Sequence, residues 1–287
     1  MADIKKKVPA SIPGDFFVDT TCINCDTCRQ LCPSVFDDDG DYSFVLKQPQ
    51  KEQERRSATR ALLACPTGSI GNKGENQATE VMEDFPLLIE DSVYYTGFNS
   101  PLSFGGNSFF IKEREGNWLI DSPKFNNHLI NWFEQQGGIK YIFLTHEDDV
   151  AEAEKYADHF LAKRIIHKHS LEAEPDSEIV IEDFSSLEFL TDFRIIPTPG
   201  HTKGHMVLIY KDKFLFSGDH LYVSRRTGEL AAHRKHCWYS WKEQTNSMKK
   251  LMDYQFEWIL AGHGDRGRFE KDAVKKQLEK LIENMAS

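Results

Sequence analysis

Apolar positions recur along this chain with two different spacings. Short runs rich in β-branched and aromatic residues (Ser92–Thr96, Ser108–Ile111, Tyr141–Leu144, Met206–Tyr210 and Phe214–Phe216) read as strands. Elsewhere the spacing is that of a helix face. Phe125, Leu129, Ile130 and Phe133 form one such stripe, and Ala153, Ala157, Phe160 and Leu161 a second. Val274, Leu278, Leu281, Ile282 and Met285, with Lys and Glu between them, predict an amphipathic terminal helix. Each element must bury its apolar face against another. Strands and helices mixed in this way over about 200 residues therefore predict a layered α/β (α+β) domain.

The stretch Gly71-Asn72-Lys73-Gly74-Glu75-Asn76-Gln77 interrupts these patterns and reads as a linker. It predicts two domains, 1–78 and 79–287, and 287 residues are enough for both to build a core. Charge narrows the partners. The chain has 35 Lys+Arg against 45 Asp+Glu, a net charge of −10, which argues against a non-specific nucleic-acid binder. No apolar run approaches the ~20 residues of a membrane span. After Lys5–Lys7 the sequence Val8-Pro9-Ala10-Ser11-Ile12-Pro13-Gly14 is no apolar signal core, so a cytoplasmic location is expected.

Chemistry-bearing residues are segregated. Five of the six cysteines lie at or before Cys65, whereas all eleven histidines, from His128 to His263, follow the linker. The early cysteines read Cys22-Ile23-Asn24-Cys25-Asp26-Thr27-Cys28, then Cys32-Pro33, with a distant Cys65-Pro66. Two-residue gaps let three thiolates converge on one face of an iron–sulfur cubane, and a remote Cys-Pro returns a fourth. A disulfide framework or a zinc knuckle is disfavoured by the odd cysteine number and the long final gap. The pattern over about residues 15–72 resembles the bacterial-type ferredoxins. The resemblance implies that Cys22, Cys25, Cys28 and Cys65 bind one [4Fe-4S] cluster in a ferredoxin-like α+β domain. Ligands for a second cluster are missing, so Cys32 is expected to be a free, buried thiol.

Further along, metal-competent residues stand at the ends of strands. They are Leu144-Thr145-His146-Glu147-Asp148-Asp149-Val150, then Thr198-Pro199-Gly200-His201 through His205, then Ser217-Gly218-Asp219, and finally Ala261-Gly262-His263-Gly264. In this order they resemble the metallo-β-lactamase superfamily, closest to its glyoxalase-II-like branch. The resemblance runs over roughly 85–287 and implies an αββα sandwich. The superfamily's first signature is His-x-His-x-Asp-His, and here those positions hold His146, Asp148, Val150 and Ala151. Carried across, one metal position receives His146, Asp148, His201 and Asp219. The other keeps only Asp219 and His263, so a single Fe or Zn ion is expected, with His263 in an outer role.

Bland roles compete for several of these residues. Asp148 and Asp149 precede a helical pattern beginning at Val150, where N-capping is a sufficient reason for either. His205 is expected to orient its loop, and His167 and His169 to be structural. A second site rebuilt from His220, His233, His236 and Cys237 has no support in the pattern. Trp238, Tyr239 and Trp241 wall a pocket or pack in the core.

His146, His201 and Asp219 make the two-imidazole, one-carboxylate set of non-haem iron oxygenases, which persulfide dioxygenases of the superfamily use. The expectation is a non-haem iron oxidoreductase acting on a small-molecule substrate, with a redox partner donating electrons to the cluster. One alternative is a mononuclear hydrolase of thioester-like substrates with a structural or regulatory cluster. Another is a non-catalytic electron-transfer module.

Overall fold

The computed structural model describes residues 2–75 and 77–286; Asn76, inside the expected linker, lies outside the described residues. Two compact units emerge, one of residues 1–117 and 122–138, the other of residues 118–121 and 139–287.

In the first unit, the strand Phe16–Val18 pairs antiparallel with Ile70–Asn72, and Phe36–Asp38 pairs with Ser43–Val45. Between them run the helices Thr27–Leu31 and Glu52–Ala64. The longer helix turns Ala58, Ala61 and Ala64 inward. Small side chains there let it lie close to Phe16, Val18, Val35, Phe36, Val45 and Ile70, which form one apolar cluster with Cys28 and Cys32. Each such Val, Ile or Phe contributes roughly 1.5–3 kcal/mol by leaving water. The helix stops at Cys65 because Pro66 follows, and a residue before proline is pushed out of helical geometry. This stop delivers the fourth thiol. After the helix Ala78–Met82, strands Leu87–Glu90, Val93–Tyr95 and Phe109–Ile111 form an antiparallel meander. The helix Asn127–Gln135, capped by Asn126, places Trp132 and Phe133 against Phe110.

In the second unit, Trp118–Ile120, Tyr141–Phe143, Lys163–His167 and Ile179–Ile181 run parallel. A mixed six-stranded sheet has Leu187–Leu190, Phe193–Pro197, Met206–Tyr210 and Phe214–Gly218 as an antiparallel series. Trp258–Ala261 then joins parallel to Phe214–Gly218, with Gly267–Arg268 at the edge. The period of two sorts its faces. Val207, Ile209, Leu215 and Ile259 meet the helices Trp241–Leu251 and Lys271–Ala286 through Met248, Leu251, Val274, Leu278, Leu281 and Met285. Residues of the opposite face meet the parallel strands, where Trp118 stacks on Phe193 with centroids 4.2 Å apart. Two sheets covered by helices thus form the expected αββα layers. The strands ending at Gly218 and Ala261 run parallel, so the loops that follow them leave the sheet at the same end. In open α/β sheets that end is where ligands bind.

Candidate metal centre and cluster site

In the first unit a small cavity is lined by Cys22, Cys25, Cys28 and Cys65, with Val18, Ile23, Pro66 and Ile70 around them. Cys32 is outside it, buried in the apolar cluster with its thiol 3.8 Å from the Glu54 carbonyl. No cysteine is in a disulfide. Burial pushes the Cys25 thiol up to about 11 and the Cys28 thiol higher still, so strong cationic ligation is what would hold them as thiolates. Their spacing tests the occupant. Tetrahedral zinc at ~2.3 Å from each sulfur would bring the sulfurs to about 3.8 Å of one another. Among the described residues no three of these sulfurs lie within 4.8 Å of one another. The wider cage fits a cluster.

The histidine-rich strand ends of the second unit converge on one point. His146 Nε2 lies 3.8 Å from Asp148 Oδ2 and 4.0 Å from Asp219 Oδ2, and His201 Nε2 lies 3.3 and 3.7 Å from the same two atoms. Beside this set is a second, which the sequence reading did not assemble. His263 Nε2 is 3.8 Å from Asp149 Oδ1 and 3.9 Å from Asp219 Oδ2. The donors of His146, Asp148 and His201 lie within 4.8 Å of one another, as do those of His146, Asp149 and Asp219. Asp219 faces both sets. Asp149 is therefore a missed residue, and His263 faces two carboxylates at ligand-like spacing.

Neither aspartate caps a helix. Glu147–Asp149 is a 3-10 turn without a side-chain cap bond, and the following helix begins only at Ala153. Both oxygens of Asp149, Oδ1 of Asp219 and Nε2 of His146 are buried without a hydrogen-bond partner. Orphaned buried polar atoms of this kind cost about 1–3 kcal/mol each or more when charged, and a cation would satisfy them together. Gly262 leaves the space open: a Cβ there would lie 2.8 Å from Asp149 Oδ2 and 2.8 Å from Asp219 Oδ1. These residues fit a metal.

Surrounding groups fix the ring orientations. The Thr145 hydroxyl meets Asp121 Oδ1 at 3.0 Å and His146 Nδ1 at 2.9 Å. A hydroxyl that donates to a carboxylate accepts the Nδ1 proton, which leaves the Nε2 lone pair for a metal. Asp121, absent from the sequence reading, is the buried acceptor that turns the Thr145 hydroxyl toward itself. Burial would lower His201, but Asp148 and Asp219 outweigh it and raise it. Hydrogen bonding to His201 holds Asp148 below the usual range. His205 bonds Thr198 Oγ1 through Nδ1 and receives the Asp219 amide on Nε2, so it shapes the loop. His220 is fully buried and its pKa falls to about 3. His167 stacks with His169 and Phe184 outside both donor sets. His233 stacks on Tyr222, 4.1 Å between centroids. Cys237 donates to the Gly200 carbonyl at 3.1 Å. Trp241 joins the helical core, whereas Trp238 is exposed and donates its indole N–H to Asp148 at 3.1 Å.

Residues 103–263, more than half of the chain, match the family model described as the metallo-beta-lactamase superfamily. The chain belongs to that superfamily. Residues 18–72 match a second model, the 4Fe-4S single cluster domain of Ferredoxin I. This superfamily member therefore carries a ferredoxin-type domain before its metallo-β-lactamase domain. It is 28% identical over 181 residues to the Beta-lactamase-like protein 2 homolog of Drosophila melanogaster, covering 56% of this chain. The match spans only 59% of that protein. Ferredoxin-1 of Streptomyces griseolus is 34% identical over 53 residues, 18% of this chain and 77% of that one. The crystal structure of VMB-1 superposes with a TM-score of 0.53 at 21% identity, over 70% of this chain and 96% of that one, a likeness of fold. Within the superfamily frame, Asp149 stands one residue before the expected signature aspartate position, now Val150, yet reaches the second donor set.

Proposed function

We propose that this protein is a metal-dependent oxidoreductase in which the ferredoxin-type domain feeds electrons to a centre held by His146, Asp148, His201 and Asp219. The observation that carries this reading is the presence on one chain of a cluster-type cysteine cage and a buried nitrogen–oxygen donor set. Hydrolysis moves no electrons, so a hydrolase would leave the cluster without a chemical task. Iron bound there would supply a redox-active centre with open positions for a small substrate, of the class of O2, NO, a peroxide or a sulfur compound.

The chain's own residues do the positioning. Thr145 and Asp121 hold His146 so that Nε2 faces the site, and His205 holds the Asp219 backbone. The Trp238 indole steadies Asp148 from the open side. A redox partner donates to the cluster, and a [4Fe-4S] cluster accounts for about four irons per chain.

A second reading is supported by Asp149, Asp219 and His263, which stand beside the first set and share Asp219. Two metals held by these residues would suit hydrolysis of a thioester-like bond, by lowering the pKa of a bound water and polarising the carbonyl while the thiol leaves.

Iron and zinc content after anaerobic purification, with EPR before and after reduction, separates these readings. Iron beyond four per chain, together with reductant-dependent turnover, supports the oxidoreductase. Zinc beyond the four irons, with thioester turnover that survives cluster removal, supports the hydrolase. Four irons and nothing more would sink both and leave an electron-transfer module.

A further inference from the structure

The Cys25 sulfur meets residues from beyond the 18–72 ferredoxin match, within the same compact unit. A Cβ on Gly105, whose φ is +86°, would lie 2.7 Å from Cys25 Cβ and 2.9 Å from its sulfur. That backbone therefore closes against the thiol with no room to spare. Behind it runs a buried chain of polar groups. Tyr95 donates its hydroxyl to Asn99 Oδ1 at 2.8 Å. Asn99 Nδ2 donates to Thr27 Oγ1 at 3.1 Å and to the Gly105 carbonyl at 2.7 Å. Thr27 Oγ1 stands 3.4 Å from both Cys25 Sγ and the Gly105 carbonyl. Tyr95, Asn99 and Thr27 are each at most 1% exposed.

Proton counting gives this chain a direction. The tyrosine hydroxyl assigns Oδ1 as the acceptor end of the Asn99 amide, which turns Nδ2 toward Thr27. The Gly105 carbonyl takes the Asn99 amide at 2.7 Å and stands 3.4 Å from the Thr27 hydroxyl, beyond the roughly 2.5–3.0 Å of a good O–H···O bond. The same 3.4 Å suits the larger sulfur, and an iron-ligating Cys25 is a thiolate that can only accept, so the Thr27 hydroxyl proton goes to the sulfur.

We propose that Tyr95, Asn99 and Thr27 form a hydrogen-bond relay ending on the Cys25 sulfur that raises the reduction potential of the cluster, with Gly105 as its water-excluding wall. Reduction brings in one electron from an external donor and transfers no proton. The added negative charge spreads onto the ligand sulfurs, so a hydrogen bond to Cys25 favours the reduced form. Low local dielectric and a polarised chain of donors strengthen it. The inference rests on the cysteine cage holding the cluster.

The test is a dithionite redox titration of the full-length protein followed by EPR. Thr27→Val keeps the shape and removes the proton. It should lower the reduced-to-oxidised ratio at the wild-type midpoint three- to tenfold, where tenfold is ~59 mV for one electron. Thr27→Ser should restore it. Tyr95→Phe, remote from the sulfur, removes the donor that polarises the Asn99 amide and through it the Thr27 hydroxyl, so it should shift the ratio the same way by a smaller factor. A wild-type midpoint in Thr27→Val, with four irons retained, overturns the proposal. A shift in Thr27→Val without one in Tyr95→Phe overturns the relay. Should Thr27→Val fail to hold its cluster, Tyr95→Phe decides alone. Wild-type protein lacking the cluster signal would instead sink the cluster reading beneath it.

Discussion

Asp148 and Asp149 are neighbours in sequence, yet one side chain is 49% exposed and the other 1%. Asp148 sits at the mouth, bonded to His201 and Trp238, while Asp149 turns inward beside Asp219 and His263. The second donor set exists because the chain turns through a 3-10 segment here, with Ala151 in the left-handed region at φ +43°. Asp149→Asn keeps the volume and removes the charge. On the two-metal reading, metal analysis should show the equivalent bound at Asp149, Asp219 and His263 lost, its affinity falling by more than the ~10–100-fold typical of an outer partner. The equivalent at His146 and His201 should remain. Unchanged metal content in this variant would return Asp149 to a structural role.

Helix ends and ion pairs hold the elements that present these residues. Ser240 caps the helix Trp241–Leu251, accepting the Glu243 amide at 3.2 Å. That helix carries Gln244, which donates to the His220 carbonyl, and Ser247, which donates to the Pro199 carbonyl, so it braces both metal-bearing loops. Ser240→Ala should cost about 1 kcal/mol and Ser240→Gly only a few tenths, read from urea midpoints. In the first unit, Asp84 accepts from Arg56 Nε at 2.9 Å and Arg60 Nε at 2.6 Å, which ties the helix Glu52–Ala64 to the chain beyond the linker. Burial pushes Asp84 up, but the two guanidiniums outweigh it and hold the carboxyl below its ordinary value. A folded pKa below the unfolded ~3.9 stabilises above that pH, and the gain is lost as pH falls through the folded value. Asp84→Asn should therefore lower stability at neutral pH by roughly 1–3 kcal/mol. It should also flatten the decline below pH ~4. An equal slope in both proteins would show that Asp84 does not carry it.

For the whole molecule, two chemistries sit in separately built sites. The cluster cage is made by residues of one compact unit and the metal donors by the other. His201→Ala should abolish turnover and remove the metal while leaving the cluster EPR signal unchanged, and Cys65→Ala should do the reverse for cluster and metal. Loss of both signals in either variant would show that the sites are not independent. No described helix is long and apolar enough to cross a membrane.

Much of this was legible in the sequence because it is local. Strands such as Met206–Tyr210 follow from short runs of β-branched and aromatic residues, and the helix stripe from Val274 to Met285 from a period near 3.6. Cys22, Cys25 and Cys28 are separated by single turns of chain, and Cys65 is announced by its proline. His146, His201 and Asp219 could be named because the resemblance to the superfamily marks those positions. What the sequence could not decide was which of two adjacent carboxylates turns inward, since that depends on backbone dihedrals and on partners some 70 to 115 residues away. Asp121 beside Thr145, Trp238 on Asp148, and Tyr95 and Asn99 behind Cys25 are likewise contacts across long stretches of chain. Periodicity tells a residue which face to take. Only packing brings those faces together, and with them the unpartnered donors that mark where the chemistry belongs.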